Sequence, residues 1–238
     1  MSKIIIIIPC YNEEGNIKEL LEEIKNTSKN TTDIWQPVVI NDCSTDNTSV
    51  EASNFKGTIV LNLPVNLGIG SAVQTGLLFA KKNNADYAIK LDGDGQHNPE
   101  EINSLITPLA EKKADISIGS RFIEKNNGYR SSFLRRIGIK IIEFVCRILI
   151  KERITDPTSG FRAYNKKAIE FMCENYPSFD YPEPEELVLS AKNDIKLIEI
   201  PVKMRERKRG KSSITFYNSF YYMLKVILAM VITALRKV

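Results

Sequence analysis

Several things are scarce or missing in this 238-residue sequence, and each absence narrows the reading. Its four cysteines, Cys10, Cys43, Cys146 and Cys173, lie far apart and form no C-x-x-C pair. That argues against a disulfide framework or a cysteine zinc site, and for buried thiols in a reducing compartment. No secretory leader is expected: Lys3 is followed by only five isoleucines before Pro9, too short a run for one. Net charge is a mild +4, although Lys203 to Lys211, KMRERKRGK, concentrates basic residues. That run has no interleaved aromatics, so nucleic acid is not the expected partner; an anionic lipid or a phosphorylated substrate suits it equally well.

Two familiar signatures also fail. Gly68-Ile69-Gly70 begins like a dinucleotide fingerprint, but the sixth residue is Val73 and the strand before it is the third. A nicotinamide cofactor is therefore not expected. A calcium loop counted from Asp92 needs Gly at the sixth place and Glu at the twelfth; His97 and Asn103 stand there.

What remains is ordinary globular composition, 43% hydrophobic and 26% charged, in a chain long enough for one large α/β domain. Strand and helix patterns alternate. Strands are expected at Ile4–Ile8, Gln36–Ile40, Thr58–Leu63, Tyr87–Leu91, Asp115–Ile118 and Lys196–Val202. Helices fall between them, the first over Ile17–Asn26 with Asn12 or Asn16 as its cap. This alternation predicts a mostly parallel central sheet with helices on both faces. Ligands bind such sheets beyond the carboxyl ends of the strands, where Glu13, Asp42, Asn66, Asp92 and Asp94 all fall.

The stretch Asp86 to Pro99, DYAIKLDGDGQHNP, is the most informative. Alternate residues of an extended chain face opposite ways, but Gly93 and Gly95 can relax the backbone until Asp92 and Asp94 converge on one cation. Such hard oxygen donors suit Mg²⁺ or Mn²⁺, with a diphosphate completing the shell. A merely solvated acidic turn is the plain rival.

After Arg121 the pattern changes. A helix over Leu134–Ile150 begins with Arg135, Arg136 and Lys140, cations that oppose the helix dipole and suggest an anion nearby. Thr155 to Arg162 reads as a polar turn, and Lys166–Asn175 as a helix. Glu183, Glu185 and Glu186 sit among prolines at a helix start, as a held general base or as simple N-terminal acids. Phe216–Leu235 is apolar, with tyrosines at one end, Arg236 and Lys237 at the other, and Lys225 within it. It reads as a membrane-surface helix, or as a core or oligomer helix, ahead of a true span.

Taken together, PCYNEE at 9–14, NDCSTDNT at 41–48, NLGIGSAVQTG at 66–76, DGDGQHNP at 92–99, GSRF at 119–122, DPTSGFRAY at 156–164 and EIPVKMRERKRGKSSI at 199–214 resemble an inverting family 2 glycosyltransferase of GT-A fold. The similarity is strongest to the dolichyl- and polyprenyl-phosphate sugar transferases. It implies a GT-A domain over residues 1–212, with a nucleotide-binding half at 1–120 and an acceptor half at 121–212, followed by the helix of 213–238. Pro9, Tyr11, Glu13, Asp42, Asn66, Gly70 and Asp92 would then serve the nucleotide sugar, and Arg207 and Lys211 its diphosphate. Asp92, Asp94 and Gln96 would hold Mg²⁺ or Mn²⁺. Arg121, Arg135, Arg136 and Arg162 would meet the acceptor phosphate, and Glu185 would be the base for a hydroxyl acceptor.

The resemblance further implies a nucleotide-diphosphate sugar donor, a polyprenyl phosphate acceptor and a peripheral place on the cytoplasmic membrane face. A small membrane-protein partner and a homo-oligomer are compatible with it. Its rivals are a hydroxyl-acceptor polysaccharide transferase and a nucleotide-sugar-binding protein without turnover. The sequence departs from the family at Asn41, where an acid is commoner, at Ile69, and at the position four after the helical arginine.

Overall fold

The isoleucine run forms the middle of the molecule. In the computed structural model, which describes residues 1–124, 133–150, 153–177, 180–205 and 216–236 (without the side chains of 133–135 and 216–221), it lies in strand β1, Lys3–Cys10. Ile4 to Ile8 are all fully buried. Ile5 and Ile7 enter one apolar cluster, and Ile4, Ile6 and Ile8 the other. A strand covered on both faces has no polar side, which is why it reads as an unbroken apolar run.

Parallel neighbours flank β1: β2, Ile34–Asn41, and β4, Tyr87–Lys90. With β3 (Ile59–Asn62), β5 (Ile116–Ser120), β6 (Arg162–Asn165) and β7 (Leu197–Pro201), they form a seven-stranded sheet of order β3-β2-β1-β4-β6-β5-β7. Every pairing is parallel except those of β6, which runs antiparallel between β4 and β5. Helices α1 (Asn16–Ser28), α2 (Thr48–Ser53) and α4 (Ile102–Ala110) cover one face. On the other lie α3 (Ile69–Lys82), α5 (Phe133–Ile150), α6 (Lys166–Asn175), α7 (Glu183–Lys192) and α8 (Phe216–Leu235). The expected mostly parallel, two-faced sheet is present.

Two expectations need correction. Strand β6 falls inside what reads as a polar turn followed by a helix. It is four residues long and carries Arg162, yet Phe161 and Ala163 pack into one cluster and Tyr164 into the other, as strand alternation requires. Neither Asn12 nor Asn16 caps α1. Gly15 holds that position at φ 78°, a left-handed conformation natural to glycine. Asn12 Oδ1 instead accepts from Thr45 N at 2.8 Å, and Asn16 Nδ2 donates to Glu13 Oε2 at 2.8 Å.

Helix α8 lies against the rest of the fold. It packs on α7 and α5 and buries Val226 and Met230 in the core. Its other side leaves Leu224, Leu228, Ile232 and Leu235 exposed. Among the described residues, no helix is long and apolar enough to cross a membrane.

Candidate active site

The turns after β1, β2 and β3 are stitched into one platform. The β1 turn donates Asn12 N to Ser44 Oγ at 3.0 Å, Glu13 N to Thr48 Oγ1 at 2.8 Å and Gly15 N to Glu51 Oε2 at 2.8 Å. Asp42 reaches the other way, accepting Leu67 N at 2.7 Å and Gly68 N at 2.9 Å, while Asn66 Nδ2 donates to Asp42 O at 3.2 Å. Asp42 is therefore a buried brace of the loop before α3. Tyr11 and Asn66 stay exposed nearby, Pro9 is the penultimate residue of β1, and Gly70 is buried in the first turn of α3.

Against this platform lies the turn after β4. A Cβ on Gly93 would fall 2.6 Å from Cys10 Sγ and 3.2 Å from Pro9 O, so glycine is what lets the two strand ends meet. Gly95 turns the chain at φ 74°, and Gln96 N donates to Asp94 Oδ1 at 3.0 Å. Both Asp92 and Asp94 are partly exposed. Burial, then the carboxylates of Glu13, Asp92, Asp94 and Asp46, push the Cys10 thiol up. Those acids thus gather at the end of β1, and the thiol stays protonated and inert.

His97 supports the turn from beneath. Its ring stacks on Phe161 at 4.8 Å, its Nδ1 accepts Asp92 N at 3.0 Å, and its Nε2 lies 3.7 Å from Asp92 Oδ2. Burial lowers the His97 pKa despite the two aspartates, so the neutral ring carries its proton on Nε2, facing Asp92.

The donor set fits a hard dication. Asp92 and Asp94 offer carboxylate oxygens, and Gln96 Nε2 donates to Arg205 O at 3.4 Å, leaving the amide oxygen as the ligand end. Among the described residues, no group of three or more His, Cys, Asp or Glu side chains is placed to hold a metal. An ion here would take two carboxylates and draw the rest from amide, water and diphosphate oxygens, as magnesium does. Arg205, which sequence reasoning passed over, ties the basic run to this turn. Its N donates to Gln96 O at 2.9 Å, and its guanidinium reaches Glu23 at 2.5 Å and Asn98 Oδ1 at 2.8 Å. Arg207, Lys211 and the side chain of Arg135 lie outside the described residues.

Beyond β5 the predicted cations divide. Arg121 follows β5 and grips Asp156 through Nε at 2.6 Å and Nη2 at 2.7 Å, with Thr158 Oγ1 at 3.1 Å. Glu199 on β7 accepts Thr155 N at 2.7 Å and Asp156 N at 2.8 Å, fixing that loop to the sheet. Arg136 is exposed on α5. Arg162 is fully buried in β6, paired with Glu186 at 3.1 Å and donating to Ser159 O and Glu183 O. Glu185 accepts Thr233 Oγ1 of α8 at 2.7 Å.

The model of the family described as glycosyl transferase family 2 matches residues 5–172, most of the chain. The chain belongs to that family. An uncharacterized protein of Methanocaldococcus jannaschii is 30% identical over 228 residues, covering 93% of this chain and 91% of that protein. A UDP-N-acetylglucosamine–dolichyl-phosphate N-acetylglucosaminyltransferase of Methanococcus voltae is 27% identical, covering 93% and 94%. A dolichol-phosphate mannosyltransferase of Pyrococcus furiosus is 31% identical, covering 93% of this chain and 62% of that one.

Among solved structures, glucosyl-3-phosphoglycerate synthase of Mycobacterium tuberculosis, crystallised with Mn²⁺, UDP and phosphoglyceric acid, superposes with a TM-score of 0.74 at 18% identity. The match covers 98% of this chain and 78% of that one. The fold is GT-A-like, and the family 2 chain is a glycosyltransferase.

Proposed function

We propose that this glycosyltransferase is inverting and metal-dependent, and moves a sugar from a nucleoside diphosphate to the phosphate of a polyprenyl lipid. One observation carries the reading: two partly exposed aspartates, Asp92 and Asp94, stand at the carboxyl end of the central sheet on either side of Gly93, where a Cβ would lie 3.5 Å from Glu13 Cγ. A Mg²⁺ or Mn²⁺ ion held by Asp92, Asp94 and Gln96 would supply Lewis-acid neutralisation of the leaving diphosphate. The chain's own residues do the rest. Pro9, Tyr11, Glu13, Asn66 and Gly70 are assigned to the nucleotide, with Asp42 bracing the loop that carries Asn66. Arg207 and Lys211 are assigned to the diphosphate, on the run anchored by Arg205.

The acceptor assignment rests on the acids of α7. A hydroxyl acceptor needs a general base, whereas a phosphate is already a nucleophile at neutral pH. Glu183 is paired with Lys90, Glu186 with Arg162, and Glu185 with Thr233. This favours a phosphate acceptor, held by Arg121 and by Arg135 or Arg136. The dolichyl-phosphate acceptors in the names of the Methanococcus and Pyrococcus relatives agree.

Ile137, Ile141, Phe144 and Ile148 on α5 and Leu224, Leu228, Ile232 and Leu235 on α8 are exposed at helical spacing on helices that pack together. That apolar surface suits peripheral docking on a bilayer, where the lipid acceptor resides. The free thiols fit its cytoplasmic face.

The test is incubation with labelled nucleotide sugars, Mg²⁺ or Mn²⁺, and polyprenyl phosphate. Label should pass into the lipid phase only with metal. Transfer to a glycan hydroxyl and never to the lipid would replace the acceptor, and donor binding without any transfer would leave a binding protein.

A further inference from the structure

Two cations in the middle of the sheet have no part in the chemistry above. Lys90, the last residue of β4, and Arg162, the first of β6, are register partners on adjacent strands. Both are buried, with exposures of 1% and 0%. Like charges directly opposite one another weaken strand pairing, and each loses its hydration. Helix α7 answers with two carboxylates three residues apart, on one helix face: Glu183 on Lys90 Nζ, and Glu186 on Arg162 Nη1. As an anchor for a helix this is a poor choice, since apolar residues of similar volume do as well or better.

The place of Lys90 suggests another use. Residues 90 and 92 fall on the same side of an extended chain. A Cβ built on Gly160 would lie 3.3 Å from Lys90 Nζ, and 3.0 and 3.4 Å from the two carboxylate oxygens of Asp92. Ammonium and carboxylate therefore converge on one point, where a Cβ at 160 would crowd both.

We infer that Lys90 and Gly160 are positioning residues for Asp92. Lys90, itself held by Glu183, fixes the carboxylate by charge, and Gly160 gives it room, so the carboxylate meets a dication already oriented. The inference rests on the metal reading above. It goes further by naming the residues that set metal affinity from behind the ligand, where partners of a ligating group count for roughly 10–100-fold.

Mn²⁺ binding, followed by the paramagnetic resonance signal of the free ion with no sugar donor, tests it, alone and with UDP or GDP. If the wild type binds no Mn²⁺, or Asp94→Ala binds it unchanged, the metal reading itself fails and takes the inference with it. If the wild type binds and Asp94→Ala does not, two variants decide. Gly160→Ala keeps every charge but crowds the carboxylate. Lys90→Met with Glu183→Gln removes the ammonium without stranding its partner. Both are expected to keep a cooperative melt and to bind Mn²⁺ roughly tenfold or more weakly. Affinities within about twofold of wild type in the folded variants would overturn the inference. Should the double variant not fold, Gly160→Ala decides alone.

Discussion

At the ends of β1 and β4 the acids Glu13, Asp92 and Asp94 stay partly exposed and close together, whereas at β5 and β6 the arginines are buried and matched with acids. The two regions share one sheet and the same kind of residue, a charged side chain near a strand end. What separates them is solvation. At β1 and β4 the like charges keep part of their hydration, so a cation can reach them. At β5 and β6 each charge is neutralised inside the fold, because a buried ion without a partner costs several kcal/mol. Charge near a strand end is therefore not enough to mark a candidate site; solvent must also reach it.

The sharpest way to break this contrast is Asp94→Ala. Sugar transfer should fall by roughly a thousandfold or more, the scale of a lost Lewis acid. Metal-dependent turnover retained in that variant would remove the special status of the β1 and β4 ends. Next comes Arg162→Met, which strands Glu186 in the core and should cost about 3–5 kcal/mol in chemical denaturation. If stability held and acceptor affinity fell instead, Arg162 would belong to the acceptor site after all.

A smaller effect is expected from Phe144→Ser with Leu228→Ser on the exposed faces of α5 and α8. Partition onto anionic vesicles should drop by about tenfold or more, with the melting temperature unchanged; equal vesicle binding would leave that surface without a bilayer role.

The smallest effect lies just before β5, where Asp115 joins Asn165, Lys167 and Lys196 N. Burial alone would raise its carboxyl, but those three donors outweigh it and hold it below the usual carboxylate range. The unfolded chain then binds the proton more readily, so this contribution is present above roughly pH 4 and fades as pH falls below it. Asp115→Asn should cost about 1 kcal/mol at neutral pH and flatten that part of the acid limb in a stability–pH series.

Much of this was open to reading in the chain. The bounds of α6 and α8 follow directly from periodicity, because long apolar stripes at helical spacing have few alternatives. The Asp92–Asp94 turn was legible because its glycines and acids sit in an unbroken local pattern. Strand β6 was not, since four residues with a charge inside them carry no strand signal until Glu186 arrives from α7 to neutralise it. Asp42 and Glu185 illustrate the same limit: the sequence shows an acid near a turn, but not that its oxygens face Leu67 and Gly68, or Thr233.

By itself, then, the sequence determined the alternating sheet, its doubly buried central strand and the acidic turn, all of which depend on neighbours a few residues apart. Only the tertiary structure decided which charges stay within reach of solvent and which are buried struts. That choice depends on desolvation and on partners tens of residues distant, such as Lys90 with Glu183 and Arg121 with Asp156, and no local pattern encodes how much water a side chain will keep.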